Sequence, residues 1–154
     1  MKIRLTKRGQ RHVLQCIRQD GSAEVSELGP NLPYHDLAHF VVERQWSLAE
    51  GFFGNIARGF TPAQLSAAQT IRNLGPQSMQ AEILTRALQS LCSGACAPEQ
   101  FAELVNTELA HWRLPAIEAT AARVELIATE YRDLTNQYRA LRNGESLTLE
   151  FEHP

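Results

Sequence analysis

Ser146-Leu147-Thr148-Leu149-Glu150-Phe151-Glu152 alternates strictly, with Leu147, Leu149 and Phe151 on one side and Thr148, Glu150 and Glu152 on the other. Successive side chains of a strand point to opposite faces, so this is the pattern of a half-buried β-strand. Similar patterns stand at the opposite end of the chain. Lys2-Ile3-Arg4-Leu5-Thr6 alternates in the same way, and after a turn at Gly9 the run from His12 to Arg18 carries Val13, Leu14, Cys16 and Ile17. Asp20-Gly21 signals a tight turn, because both central positions of such a hairpin favour left-handed backbone. Ala23 to Leu28 then returns as a third strand. The acidic outer face of 146–152 complements Lys2 and Arg4, and opposite charges across neighbouring strands are favourable. The last strand is therefore expected beside the first, closing residues 1–154 into a single domain.

Everything between these ends reads as helix. Gly29-Pro30-Asn31-Leu32-Pro33 breaks the strands and starts a helix reaching Leu48 or Ala49, with Pro33 near its start and Asp36 in its first turn. Gly51 to Ile56 is a short kinked piece, and Thr61-Pro62 caps a further helix over 63–73. After Gly75-Pro76 come helices over 77–92 and 98–112, the first ended by Ser93-Gly94. The longest is expected from Pro115 to Arg142. Ile117, Val124, Tyr131 and Tyr138 recur every seven residues, and Ile127, Leu134 and Leu141 fall three after three of them. This heptad seam fits a helix pair inside the domain, and it leaves open a homodimer through the long C-terminal helix. The fold class is α+β: a small antiparallel sheet from the N-terminal strands plus the C-terminal strand, packed with five or six helices.

Composition narrows the classes of function. Fifteen basic against 17 acidic residues give a net charge of −2, with no global pull toward nucleic acid. The apolar runs are far shorter than the ~20 residues of a spanning helix, and the first residues lack the apolar core of a signal peptide. Three cysteines argue against a disulfide framework and fit a reducing compartment. The expectation is a cytoplasmic protein with no nucleic-acid or membrane partner.

The chemistry-bearing segment is His35-Asp36-Leu37-Ala38-His39-Phe40-Val41-Val42-Glu43. Positions i, i+4 and i+8 climb one helix face, so His35, His39 and Glu43 share an aspect. At about 100° per residue, Leu37, Val41 and Leu48 centre the apolar arc, the two histidines lie at its edge, and Asp36 and Glu43 fall just beyond on the polar side. The spacing resembles the two-histidine helix of zinc hydrolases, with Asp36 in place of the intervening glutamate. Three ligands in a row along one helix span about 12 Å, too far for one ion. The metal ligands would be His35 and His39 with a group from elsewhere, His111 or His12 being the candidates. Asp36 or Glu43 would serve as base or further ligand. A small-molecule pocket with Tyr34, His35, His39 and Glu43 at its rim is a third reading. The His35-Asp36 pair does not fit the His-Asp phosphohydrolases, since His12 lies in a strand.

The run from Leu32 to Glu43, after a short set of strands, resembles an uncharacterised bacterial family carrying a Pro-His-Asp-Leu-x-His-Phe-x-Val-Glu segment. The similarity covers about the first 60 residues, including Gly51-Phe52-Phe53-Gly54, and departs in placing Tyr34 between Pro33 and His35. No activity attaches to that family, so the resemblance implies a standalone bacterial domain and no mechanism.

Other motifs are weak. Cys92-Ser93-Gly94-Ala95-Cys96 has one residue too many for redox or zinc-knuckle spacing. No phosphate-binding loop or nucleophile elbow is present, and Trp46, Phe52, Phe53 and Phe60 read as core aromatics. With no complete catalytic set and no identifiable cofactor, the sequence favours a non-enzymatic domain acting through protein contacts or self-association. The alternative is a metal-binding protein or metal-dependent hydrolase using the His35/His39 helix.

Overall fold

Both ends of the chain meet in a four-stranded antiparallel sheet of order β3-β2-β1-β4. The strands are β1 (Lys2–Thr6), β2 (His12–Ile17), β3 (Ala23–Leu28) and β4 (Ser146–Glu150). The computed structural model describes residues 1–67, 70 and 73–152. The last strand lies beside the first, as the two ends of the chain predict, with Lys2 opposite Glu150 and Leu5 opposite Leu147. Beyond the strands, Phe151 donates its N–H to the Met1 carbonyl at 2.8 Å. Of the two expected charge pairings, Lys2 does face Glu150 at 3.9 Å. Arg4 instead stands across from Thr148 and reaches Gln15. Ile3, Leu5, Leu14 and Cys16 point inward and are buried.

Six α-helices follow among the described residues: α1 (Leu32–Gln45), α2 (Phe52–Ala57), α3 (Pro62–Leu65), α4 (Pro76–Ser93), α5 (Phe101–His111, entered through a 3-10 turn at Pro98–Gln100) and α6 (Ala121–Ala140). Thr61 caps α3 through the Gln64 N–H, and the Gln64 side chain returns the bond. The helix expected over 63–73 stops early: α3 ends at Leu65 with Ser66 as its C-cap and Ala67 outside it, and residues 68, 69, 71 and 72 lie outside the described residues. Gly94 ends α4 in the left-handed conformation at φ +81°.

Three further expectations need correction. The helix expected from Pro115 begins only at Ala121, after a Thr120 cap. Asn106 is the cause: its side chain bonds both the N–H and the carbonyl of Ile117, at 2.9 and 3.1 Å. Those backbone groups are thereby diverted from a helical ladder. Ile117 therefore drops out of the heptad seam, while Val124, Ile127, Tyr131, Leu134 and Tyr138 are buried in the chain's own core. Second, α1 ends at Gln45, and it starts early enough that Asp36 lies beyond its first turn. Third, α1 is not a surface helix with a polar side. It packs on α2, α4 and α6, and every residue from Asp36 to Glu43 is buried. The two carboxylates assigned to the polar side are thus interior groups.

No helix among the described residues is long and apolar enough to cross a membrane.

Candidate metal centre

His35 and His39 are one turn apart on α1, and their Nε2 atoms face each other at 3.2 Å. The third group comes from α4: Glu82 Oε2 lies 3.5 Å from His35 Nε2 and 3.3 Å from His39 Nε2. The three atoms form a nearly equilateral triangle. Tetrahedral donors about 2.05 Å from a zinc ion stand roughly 3.3 Å from one another, so the triangle has the size of one face of such a site. Among the described residues, His35, His39 and Glu82 are the set that could share an ion.

The far atom of each donor is also tied down. His39 Nδ1 lies 3.1 Å from Glu43 Oε1, and His35 Nδ1 lies 3.3 Å from Gln89 Oε1. Glu43 can only accept, so Nδ1 of His39 carries the proton and donates. The same tautomer at His35 satisfies the Gln89 carbonyl. Both Nε2 lone pairs then converge on the point that Glu82 faces. Two imidazole lone pairs at this distance repel unless a cation sits between them, whether a proton or a metal ion. Glu82 Oε1, for its part, lies 3.6 Å from Arg86. Partners that orient metal-binding histidines through the opposite ring nitrogen are the usual support of a metal site.

Glu43 is fully buried, yet its carboxylate is satisfied. Besides facing His39, its Oε2 accepts the backbone N–H of Phe53 at 3.0 Å and of Gly54 at 3.1 Å. These are orphan donors of the first turn of α2, where a negative charge is favoured. Glu43 is therefore the orienting partner of His39 rather than a ligand, in keeping with the length of the helical row.

The electrostatics suit a cation. Burial, the largest single effect, pushes the His39 pKa down. The hydrogen bonds and charges of Glu43 and Glu82 outweigh it and carry the pKa up to about 9. Hydrogen bonds to His35 and His39 hold the Glu82 carboxyl far below the usual carboxylate range. Asp36 moves the other way: burial raises it to about 6, only partly offset by the neighbouring His39 and His35. Its Oδ2 is buried without a hydrogen-bond partner.

His35, Asp36, His39 and Glu82 all line one cavity of about 770 Å³, bounded by α1, the edge of the sheet, α3 and the start of α4. Asn55 on α2 donates to the Glu50 carbonyl at 2.7 Å and to Ser78 Oγ at 3.0 Å, fastening α2 to α4 one turn before Glu82. The expected third donors are elsewhere. His12 is buried and bonds Tyr138 Oη at 2.8 Å, while His111 is exposed at the end of α5. Tyr34 packs edge-on against Tyr138, with Arg139 over its ring, and is not among the described residues lining the cavity. Sequence reasoning missed Glu82 and Gln89. Their seven-residue spacing on α4 puts both on one face, but nothing in the sequence says which helix that face meets. No family model matches this chain, and no curated protein or solved structure matches it either.

Proposed function

We propose that this chain is a metal-dependent hydrolase with one divalent ion, zinc by fit, on His35, His39 and Glu82. The observation that carries this reading is the triangle of donor atoms with edges of 3.2, 3.3 and 3.5 Å. Three protein donors gathered on one side leave the remaining coordination positions toward the cavity, the arrangement of catalytic rather than structural zinc. The ion would acidify a bound water and polarise a substrate carbonyl. Asp36, buried on the same cavity wall with an unpartnered oxygen, is the group to take the water proton. Self-association along α6 has thinner support, because its seam side chains are used by the chain's own core.

Elemental analysis of the untagged protein tests the metal, with about one equivalent of zinc expected after reconstitution and none in a His35→Ala/His39→Ala variant. Asp36→Asn should keep the metal and lose hydrolysis of an activated ester. Wild-type protein that takes up no zinc, nickel, iron or manganese at micromolar concentration sinks the reading.

A further inference from the structure

The cavity beside the triad has a chemistry of its own. Its walls are mostly apolar: Leu14 and Leu28 from the sheet, Phe52 from α2, Leu65 from α3, Met79 from α4 and Leu114 beyond α5. At about 770 Å³ it is of the size that buries a drug-sized molecule. Two further lining residues, Leu32 and Trp112, are 46% and 53% exposed although large and apolar. Exposed apolar side chains scattered singly need no explanation, but two on the wall of one apolar cavity extend a greasy surface to the outside. The acidic side chains of the lining are joined by the two histidines of the triad. Glu27, Asp36 and Glu82 are present, and no Lys or Arg lines the cavity among the described residues. Away from His35 and His39, the described lining offers an anion no cationic partner.

We propose that the cavity binds an uncharged acyl compound whose apolar chain fills the space between Leu14, Leu65 and Trp112. Its single polar head, an ester, amide or hydroxamate carbonyl, then points to His35, His39 and Glu82. The placement of the head rests on the metal reading above; the apolar, uncharged nature of the body does not.

Two forms of the intact protein separate these parts. With zinc-loaded protein, calorimetric titration with alkyl hydroxamates of two to ten carbons should show tightening of about two- to fourfold per added methylene until the cavity is full. Equal affinity for acetohydroxamate and decanohydroxamate overturns the proposal. With chelator-treated wild type, decanol should displace Nile red, and hexanol should do so at least tenfold less well. Hexanol binding as tightly as decanol overturns the apolar-chain assignment. Decanol binding without any zinc uptake would sink the metal reading and leave the cavity assignment standing; zinc uptake with no chain-length effect would do the reverse. Because Leu32 and Trp112 are exposed, Leu32→Asn/Trp112→Ser should fold normally and weaken decanohydroxamate at least fivefold, with acetohydroxamate unchanged.

Discussion

Glu43 serves two elements with one carboxylate: Oε1 holds the proton on His39 Nδ1, and Oε2 takes the first-turn N–H groups of α2. Glu43→Gln separates these roles. The glutamine carbonyl would stay on the N–H groups of Phe53 and Gly54, which turns its NH₂ toward His39 Nδ1. That contact forces the imidazole proton onto Nε2, the atom needed for the ion. Zinc affinity should fall by about 10- to 100-fold, the usual cost of losing such an orienting partner, while circular dichroism stays native. Competition against a chromophoric chelator measures it. The His39 pKa of about 9 has its own consequence. Below that pH the imidazole holds a proton that an incoming ion must displace, so acid weakens binding. Apparent zinc affinity should rise by about tenfold per pH unit between pH 6 and 8, with about one proton released per ion at pH 7. Calorimetry in buffers of different ionisation enthalpy counts that proton; no release would mean His39 is neutral before the metal arrives.

The element that positions the site is α1 together with the turn into α2, and Gly51 is one of its tight points. A Cβ there would overlap the Glu43 carboxyl group, which cannot swing away because the N–H groups of His39, Phe53 and Gly54 hold it. Gly51 has φ −71°, so alanine fits the backbone and the cost is steric alone. Gly51→Ala should destabilise by roughly 1–3 kcal/mol and loosen zinc as well. Gly29→Ala meets nothing and should fall within about 0.5 kcal/mol of wild type; chemical denaturation compares the two. The existence and type of α1 are legible in the sequence, because Leu37, Val41 and their neighbours keep the helical period. Its surroundings are not legible in that way. A wheel divides side chains into apolar and polar, and so it puts Asp36 and Glu43 in solvent. Burial of Glu43 depends on donors from α2, ten and eleven residues on. The start of α6 fails for a related reason: Ile117 keeps the heptad, but the bonds from Asn106 hold it outside any helix.

For the molecule as a whole, the ends were the easier problem. Period-two alternation at 2–6 and 146–152 points to a strand at each end, and β1 pairs antiparallel with β4. Glu82 was the harder one, since it joins the histidines only because α4 packs on α1. This placement makes the ion a clamp between two helices, and the clamp is measurable. Zinc at about 100 times its dissociation constant should add roughly 2.7 kcal/mol of stability, or about 5–10 °C in melting temperature for a chain of this size. Glu82→Gln should abolish that increment yet melt within about 2 °C of wild type without metal. Its side chain is 40% exposed, and its ion pairs with the histidines are worth little to the fold at such exposure. Were the variant instead to melt several degrees lower before any zinc is added, Glu82 would be a structural ion-pair partner of His35 and His39. The triangle of donors would then be explained by a shared proton alone.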